Sequence, residues 1–157
     1  KVFSDLNSDK NVLVCMGFGP LESLIRHEAK ESRTIFFHPA VSPKVLLNYT
    51  SSADYGVSFI EDTCLSYYYC LPNKVFEYLM AGLPVLTSNL YEMKRLVESK
   101  GVGIVAQDNS SKGFKRAVVD SLSQDYSKIQ SNVFEARKKY CWEEQEKILM
   151  KVYQGLI

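Results

Sequence analysis

Asn73, Lys74 and Glu77 lie three or four positions apart, a spacing that places side chains on one face of a helix. The helix carrying them starts after Leu71-Pro72 and shows an apolar side through Phe76, Leu79 and Met80. Free backbone N–H groups and the dipole at such a helix start favour an anion such as a phosphate. Gly82 is placed to end the helix in the left-handed conformation, and Pro84 to Thr87 then reads as a buried strand. A blander account exists for the same residues. A carboxylate early in a helix interacts favourably with the dipole without any ligand, and Lys74 alone would be a solvated charge.

Three further segments follow strand-like runs, the places where doubly wound sheets bind their ligands. In Gly17-Phe18-Gly19-Pro20 the glycines permit a tight turn and close approach of a ligand to backbone, and Pro20 suits the first helical turn. Glu22 stands where the third glycine of a Gly-x-Gly-x-x-Gly would be, so taken alone this is an ordinary strand-to-helix turn. His38-Pro39-Ala40-Val41-Ser42-Pro43 is a stiff connection that either offers amides and a flat apolar surface to a nucleotide base or merely caps the next helix. Glu61 to Cys70 has little periodicity and holds Tyr67-Tyr68-Tyr69. Loops of this length are more often functional than decorative, with the tyrosines serving as lid packing or as a pocket rim.

The elements that must position these residues alternate. Strands are expected at Val12 to Met16, Thr34 to Phe37, Tyr55 to Phe59, Pro84 to Thr87 and Val102 to Val105. Helices are expected at Leu21 to Lys30, Pro43 to Ser51, Asn73 to Ala81, Tyr91 to Ser99, Ser111 to Ser123, Tyr126 to Lys139 and Trp142 to Leu156. That order predicts an α/β fold, a Rossmann-like parallel sheet with helices covering both faces, in one domain over residues 1–157. Asn89 with Glu92 suggests a capping box, and Trp142, Leu149, Val152, Tyr153 and Leu156 predict a last helix docked by one face.

Composition narrows the class. With 46% hydrophobic residues, 24% charged and a net charge of +1, the chain reads as an ordinary globular protein. Basic clusters do not exceed pairs and triplets such as Arg137-Lys138-Lys139, which gives nucleic-acid binding no support. Apolar runs fall short of the roughly 18 residues of a membrane span, and Lys1 to Asp5 lacks a signal peptide's apolar stretch, so a cytoplasmic location is expected. Cys15, Cys64, Cys70 and Cys141 form no Cys-x-x-Cys pair and read as reduced, mostly buried thiols; His27 and His38 do not suggest a metal site.

Leu71 to Val85 closely resembles the phosphate and ribose segment of group 1 glycosyltransferases, the glycogen-synthase-like retaining enzymes of the GT-B fold. Val14 to Leu21 resembles their Gly-x-Gly-Pro turn, Ser52 to Val57 their Ala-Asp-x-Gly strand entry, and Gly101 to Val105 their Gly-x-Gly strand. Tyr140 to Tyr153 is similar to their closing helix, so the matches run in order over residues 11 to 156. The resemblance implies the C-terminal, donor-binding half of such an enzyme. It lacks the N-terminal acceptor domain and part of a first βα unit whose arginine and lysine clamp the diphosphate, for which residues 1 to 10 are too short.

By that resemblance Glu77 accepts hydrogen bonds from the ribose hydroxyls, while the Pro72-Asn73-Lys74 segment that follows Leu71 offers helix N-terminal amides, and Lys74 its ammonium, to the diphosphate. Gly17, Gly19, His38 and Val41 line the base and nucleoside, and Thr87 or Ser88 lies near the sugar or phosphate. The family's Glu-x7-Glu pattern is incomplete: Tyr69 stands in the place of the first glutamate and must replace its sugar contact. The implied activity is transfer of a sugar, of hexosyltransferase type, from a nucleoside diphosphate to a glycan, lipid-linked or small-molecule acceptor. The setting is cell-envelope polysaccharide or glycan synthesis, with peripheral membrane association of the whole enzyme and no transfer by this domain alone. No metal or cofactor is implied, the nucleoside-diphosphate sugar being a substrate. A nucleotide-sugar epimerase of the same fold and a non-catalytic α/β binding domain are the alternatives.

Overall fold

A computed structural model of the chain describes residues 2, 3, 6 and 11–156. In chain order the elements are β1 (Leu13–Gly17), α1 (Glu22–Glu31), β2 (Ile35–Pro39), α2 (Pro43–Thr50), β3 (Gly56–Ser58), α3 (Leu65–Tyr68) and α4 (Asn73–Ala81). There follow β4 (Val85–Thr87), α5 (Tyr91–Lys100), β5 (Gly103–Val105), α6 (Ser111–Ser121), α7 (Tyr126–Tyr140) and α8 (Trp142–Gln154). The strands are parallel and flanked by helices, a Rossmann-like α/β arrangement. Two compact units are present, Lys1–Leu46 and Leu47–Ile157. Most of residues 1 to 10, read as too short for the clamp-bearing unit, lie outside the described residues.

The first unit holds β1 paired with β2, with Leu13 opposite Ile35 and Gly17 opposite Pro39. α1 packs on β2, and the Arg26 guanidinium sits 4.0 Å from the centre of the Phe37 ring. Val14 and Phe36, partners in register, are 57% and 48% exposed. A continuous apolar run signals that both faces are apolar, and tertiary packing alone decides which are covered.

The second unit orders its strands β3-β4-β5, with Val85 opposite both Gly56 and Gly103. β4 is buried along its whole length. The core around it gathers Val75 and Leu79 of α4, Met93, Leu96 and Val97 of α5, and Val133 and Ala136 of α7. Each valine, leucine or methionine among them contributes about 1.5–3 kcal/mol by leaving water, so α4 is pinned between the sheet and α7.

Three local expectations fail. The capping box at α5 does not form, because the Asn89 amide donates to the Gln107 carbonyl (2.9 Å) and Glu92 pairs with Arg95 (2.8 Å). The apolar stripe of α8 exists but is uncovered: Trp142, Leu149, Val152, Tyr153 and Leu156 are all exposed, and the helix buries no residue. The cysteines are free as expected yet not buried, Cys64 being exposed and the other three half-exposed. Partial burial still lifts the Cys15 and Cys70 thiol pKa values above their ordinary value.

Candidate functional site

Helix α4 begins without a side-chain cap. Pro72 enters it in extended conformation (φ −72°, ψ 147°), and the Val75 N–H closes the first turn on the Pro72 carbonyl at 3.0 Å. First-turn amides are thereby left to solvent or to a ligand. At the other end Gly82 takes φ 85°, a left-handed value that a side chain would strain, and Leu83 N–H bonds the Tyr78 carbonyl at 2.9 Å. Between these stops Val75 and Leu79 are fully buried, while Phe76 and Met80 are only half-buried, so the apolar side is turned by one position from the expected one. Phe76 instead meets Tyr140 of α7, ring centres 5.7 Å apart.

One contact fixes the helix on the sheet. The Tyr78 ring lies directly over Gly56, where any Cβ would overlap it, and the Tyr78 hydroxyl donates to the Val57 carbonyl at 3.1 Å. With Val75, Tyr78 and Leu79 turned inward, Asn73 and Lys74 are exposed and Glu77 is half-buried. Among the described residues no hydrogen bond or ion pair engages the Glu77 carboxylate or the Lys74 ammonium. A half-buried carboxylate with vacant acceptors is suited to hydroxyl donors from outside the chain.

Because β3, β4 and β5 are parallel, the segments following them emerge at one edge of their sheet, together with the start of α4. That edge is stitched by side chains. The Ser88 hydroxyl accepts the Ile60 N–H (2.5 Å) and donates to the Ile60 carbonyl (2.8 Å), tying the segment after β3 to the end of β4. Asn109 Oδ1 accepts the Asn89 N–H at 2.7 Å, which ties β4 to the segment after β5. The start of α6 is ordered by Asp108, whose Oδ1 accepts the Ser110 N–H at 2.8 Å. Hydrogen bonds from Ser110 hold the Asp108 carboxyl below its ordinary pKa. Thr87 is fully buried, with Oγ1 unpartnered, so its side chain offers no surface to a ligand.

The segment from Glu61 to Cys70 is less irregular than its sequence suggests, since Leu65–Tyr68 form α3. Tyr69 ends that turn and its ring meets Tyr91, the first residue of α5, at 5.5 Å. Tyr91 escaped the sequence reading. Its signal was an aromatic residue opening the helix that follows the most buried strand.

Within the second unit, then, Tyr69, Leu71, Pro72, Asn73, Lys74 and Glu77 share one sheet edge, and Thr87 lies beneath it. Gly17, Gly19, His38 and Val41 belong to the first unit. There Gly17 has φ 150°, and nothing lies within 4 Å of where a Cβ at Gly17 or Gly19 would stand. The Glu22 N–H closes the turn on the Gly19 carbonyl at 3.0 Å, and His38 Nδ1 lies 2.7 Å from the Pro39 carbonyl. No group of three His, Cys, Asp or Glu side chains among the described residues is arranged to hold a metal. No helix among them is long and apolar enough to cross a membrane.

The model of a family described as "Glycosyl transferases group 1" matches residues 1–124. Among solved structures, sucrose-phosphate synthase from Thermosynechococcus elongatus superposes with a TM-score of 0.71 at 19% identity, over 92% of this chain and 38% of that one. WaaG, a glycosyltransferase involved in lipopolysaccharide biosynthesis, superposes with a TM-score of 0.56 at 15% identity, over 82% of this chain and 33% of that one. The chain thus spans well under half of each of these two structures. No curated protein matches the sequence.

Proposed function

This chain belongs to the group 1 glycosyl transferases, and we propose that it is the donor-binding part of an enzyme moving a sugar from a nucleoside diphosphate to an acceptor. The observation that carries this is α4: an uncapped helix start at the C-terminal sheet edge, followed one turn later by the unpaired carboxylate of Glu77. Glu77 takes the ribose hydroxyls. The backbone N–H groups of Asn73 and Lys74, which follow Pro72 at the helix start, and the Lys74 ammonium take the diphosphate, whose negative charge grows as the glycosidic bond breaks. Catalysis then comes from holding the donor and neutralising its leaving group, which protein groups can do without a metal. The assignment of Gly17, Gly19, His38 and Val41 to the base and nucleoside is supported by their turn motifs.

The acceptor is assigned to a part of the enzyme beyond these residues, and transfer by this chain alone is not expected. Cell-envelope polysaccharide or glycan synthesis in the cytoplasm, or on the cytoplasmic membrane face, is the setting we assign; the likeness to a lipopolysaccharide glycosyltransferase supports it. Calorimetric titration of UDP, GDP and ADP into the wild type and Glu77→Ala tests the donor site. Loss of the charged hydrogen bonds should weaken binding about ten- to a hundredfold. Equal affinity in the two proteins, or no binding by the wild type, overturns the assignment.

A further inference from the structure

Helix α1 turns one face toward β2. Arg26, Ala29 and Lys30, spaced as neighbours on one helical face, line a groove of about 400 Å³ together with Phe36 and Phe37 of β2. Its floor is apolar, its helix wall carries two cations, and no carboxylate lines it. Among the described residues β2 pairs only with β1, so its other edge is unpaired. The Thr34 carbonyl accepts the Leu13 N–H at 2.8 Å, and alternate residues of a strand address the same neighbour. The backbone groups of Ile35 and Phe37 therefore point away from β1, toward the open edge. The two cations differ in their engagement. Arg26 is held, its Nε 2.8 Å from a Glu22 carboxylate oxygen and its guanidinium 4.0 Å from the centre of the Phe37 ring. Lys30 is exposed, and among the described residues no hydrogen bond or ion pair engages its ammonium.

We propose that this groove and strand edge take an extended acidic peptide segment of a partner protein, added to β2 as a further strand. Main-chain hydrogen bonds to Ile35 and Phe37 supply the pairing, and the groove supplies the choice of side chains. Every second side chain of an incoming strand faces α1, at intervals of about 6.6 Å. That interval matches the rise of about 6 Å between residues four apart on a helix, the separation of Arg26 and Lys30. One α1-facing side chain, apolar, rests on Ala29 and Phe37, and the next, a carboxylate, meets the unpaired Lys30. Charges that merely protect an edge strand sit on the strand itself; these sit on the helix beside it and face a groove. A second copy of this chain is a poorer occupant, because pairing β2 with β2 sets two cationic helix faces along one seam. α1 runs back from the C-terminal end of β1, so its last turn, with Lys30, lies toward the N-terminal ends of the strands, away from Gly17, Gly19 and His38. The peptide site is thus independent of the donor-site assignment.

The probe is a fluorescein-labelled peptide, Thr-Glu-Val-Leu-Val-Glu-Thr, which presents Glu, Leu and Glu on one side of a strand. It is titrated into the full chain and followed by fluorescence anisotropy. Binding is expected, and a peptide with Lys in place of both Glu should bind about tenfold more weakly. Lys30→Glu should reverse that preference, a gain of binding that loss of folding cannot mimic. Methylating the peptide's backbone nitrogens at either its odd or its even residues blocks one register of main-chain pairing. One of these two peptides should therefore lose binding while the other keeps it, and the Ile35 and Phe37 amide signals should move in NMR spectra when the unmodified peptide is added. No binding by the wild type, an unchanged preference in Lys30→Glu, or equal binding by the two methylated peptides overturns the proposal. A wild type that sediments as a dimer and excludes the peptide assigns the edge to a second copy, and overturns it as well.

Discussion

Thr87 and Ser88 stand side by side at the end of β4 with hydroxyls in opposite circumstances. Ser88 Oγ satisfies both backbone groups of Ile60, whereas Thr87 Oγ1 is buried without a partner. A buried hydroxyl left unpaired costs about 1–3 kcal/mol, so Thr87→Val, which keeps the shape, should not lower the melting temperature and should leave nucleotide affinity unchanged. Ser88→Ala orphans the Ile60 amide and carbonyl and should cost about 1–3 kcal/mol in denaturant unfolding. A lower affinity in Thr87→Val would mean that the hydroxyl turns outward when donor binds. The sequence could name Thr87, Ser88 and Glu77 as neighbours of a helix start and a strand end. Which hydroxyl is paired depends on Ile60, 28 residues from Ser88, and local sequence carries no such information.

At the scale of elements, α4 was the most legible piece because its stops are chemical: Pro72 cannot continue a helix backwards, and Gly82 accepts the left-handed turn. α3 was missed because its four residues are too few to show a period. The seat of α4 is a long-range contact, Tyr78 on Gly56, and Gly56→Ala should cost about 1–3 kcal/mol by overpacking. Chemical denaturation measures that loss, and reduced nucleotide affinity should accompany it as the helix start moves. The start of α6 gives a pH signature. The Asp108 pKa is lowered on folding below its ordinary 3.8, so its contribution to stability is present at neutral pH and is lost as pH falls through the folded value. Asp108→Ala should therefore melt below the wild type at pH 7, and the gap should close in acid below pH 3.8.

At the scale of the molecule, the exposed face of α8 is the largest departure from expectation. Trp142 is the one tryptophan of the chain and is 64% exposed, so iodide should quench its fluorescence readily in the folded protein. Resistance to quenching would show that something covers this helix in solution. The family, the parallel α/β order and the helix that bears Asn73, Lys74 and Glu77 are all legible in the amino-acid sequence. Those depend on spacing, caps and turn residues, which act over a few positions. Long-range packing sets which residues of a strand are covered, leaves the α8 stripe bare, puts Thr87 beneath the surface and brings Tyr91 to Tyr69. Each of these depends on whether residues far apart in the chain meet, and apolar patterning states that a surface is apolar without stating what will meet it.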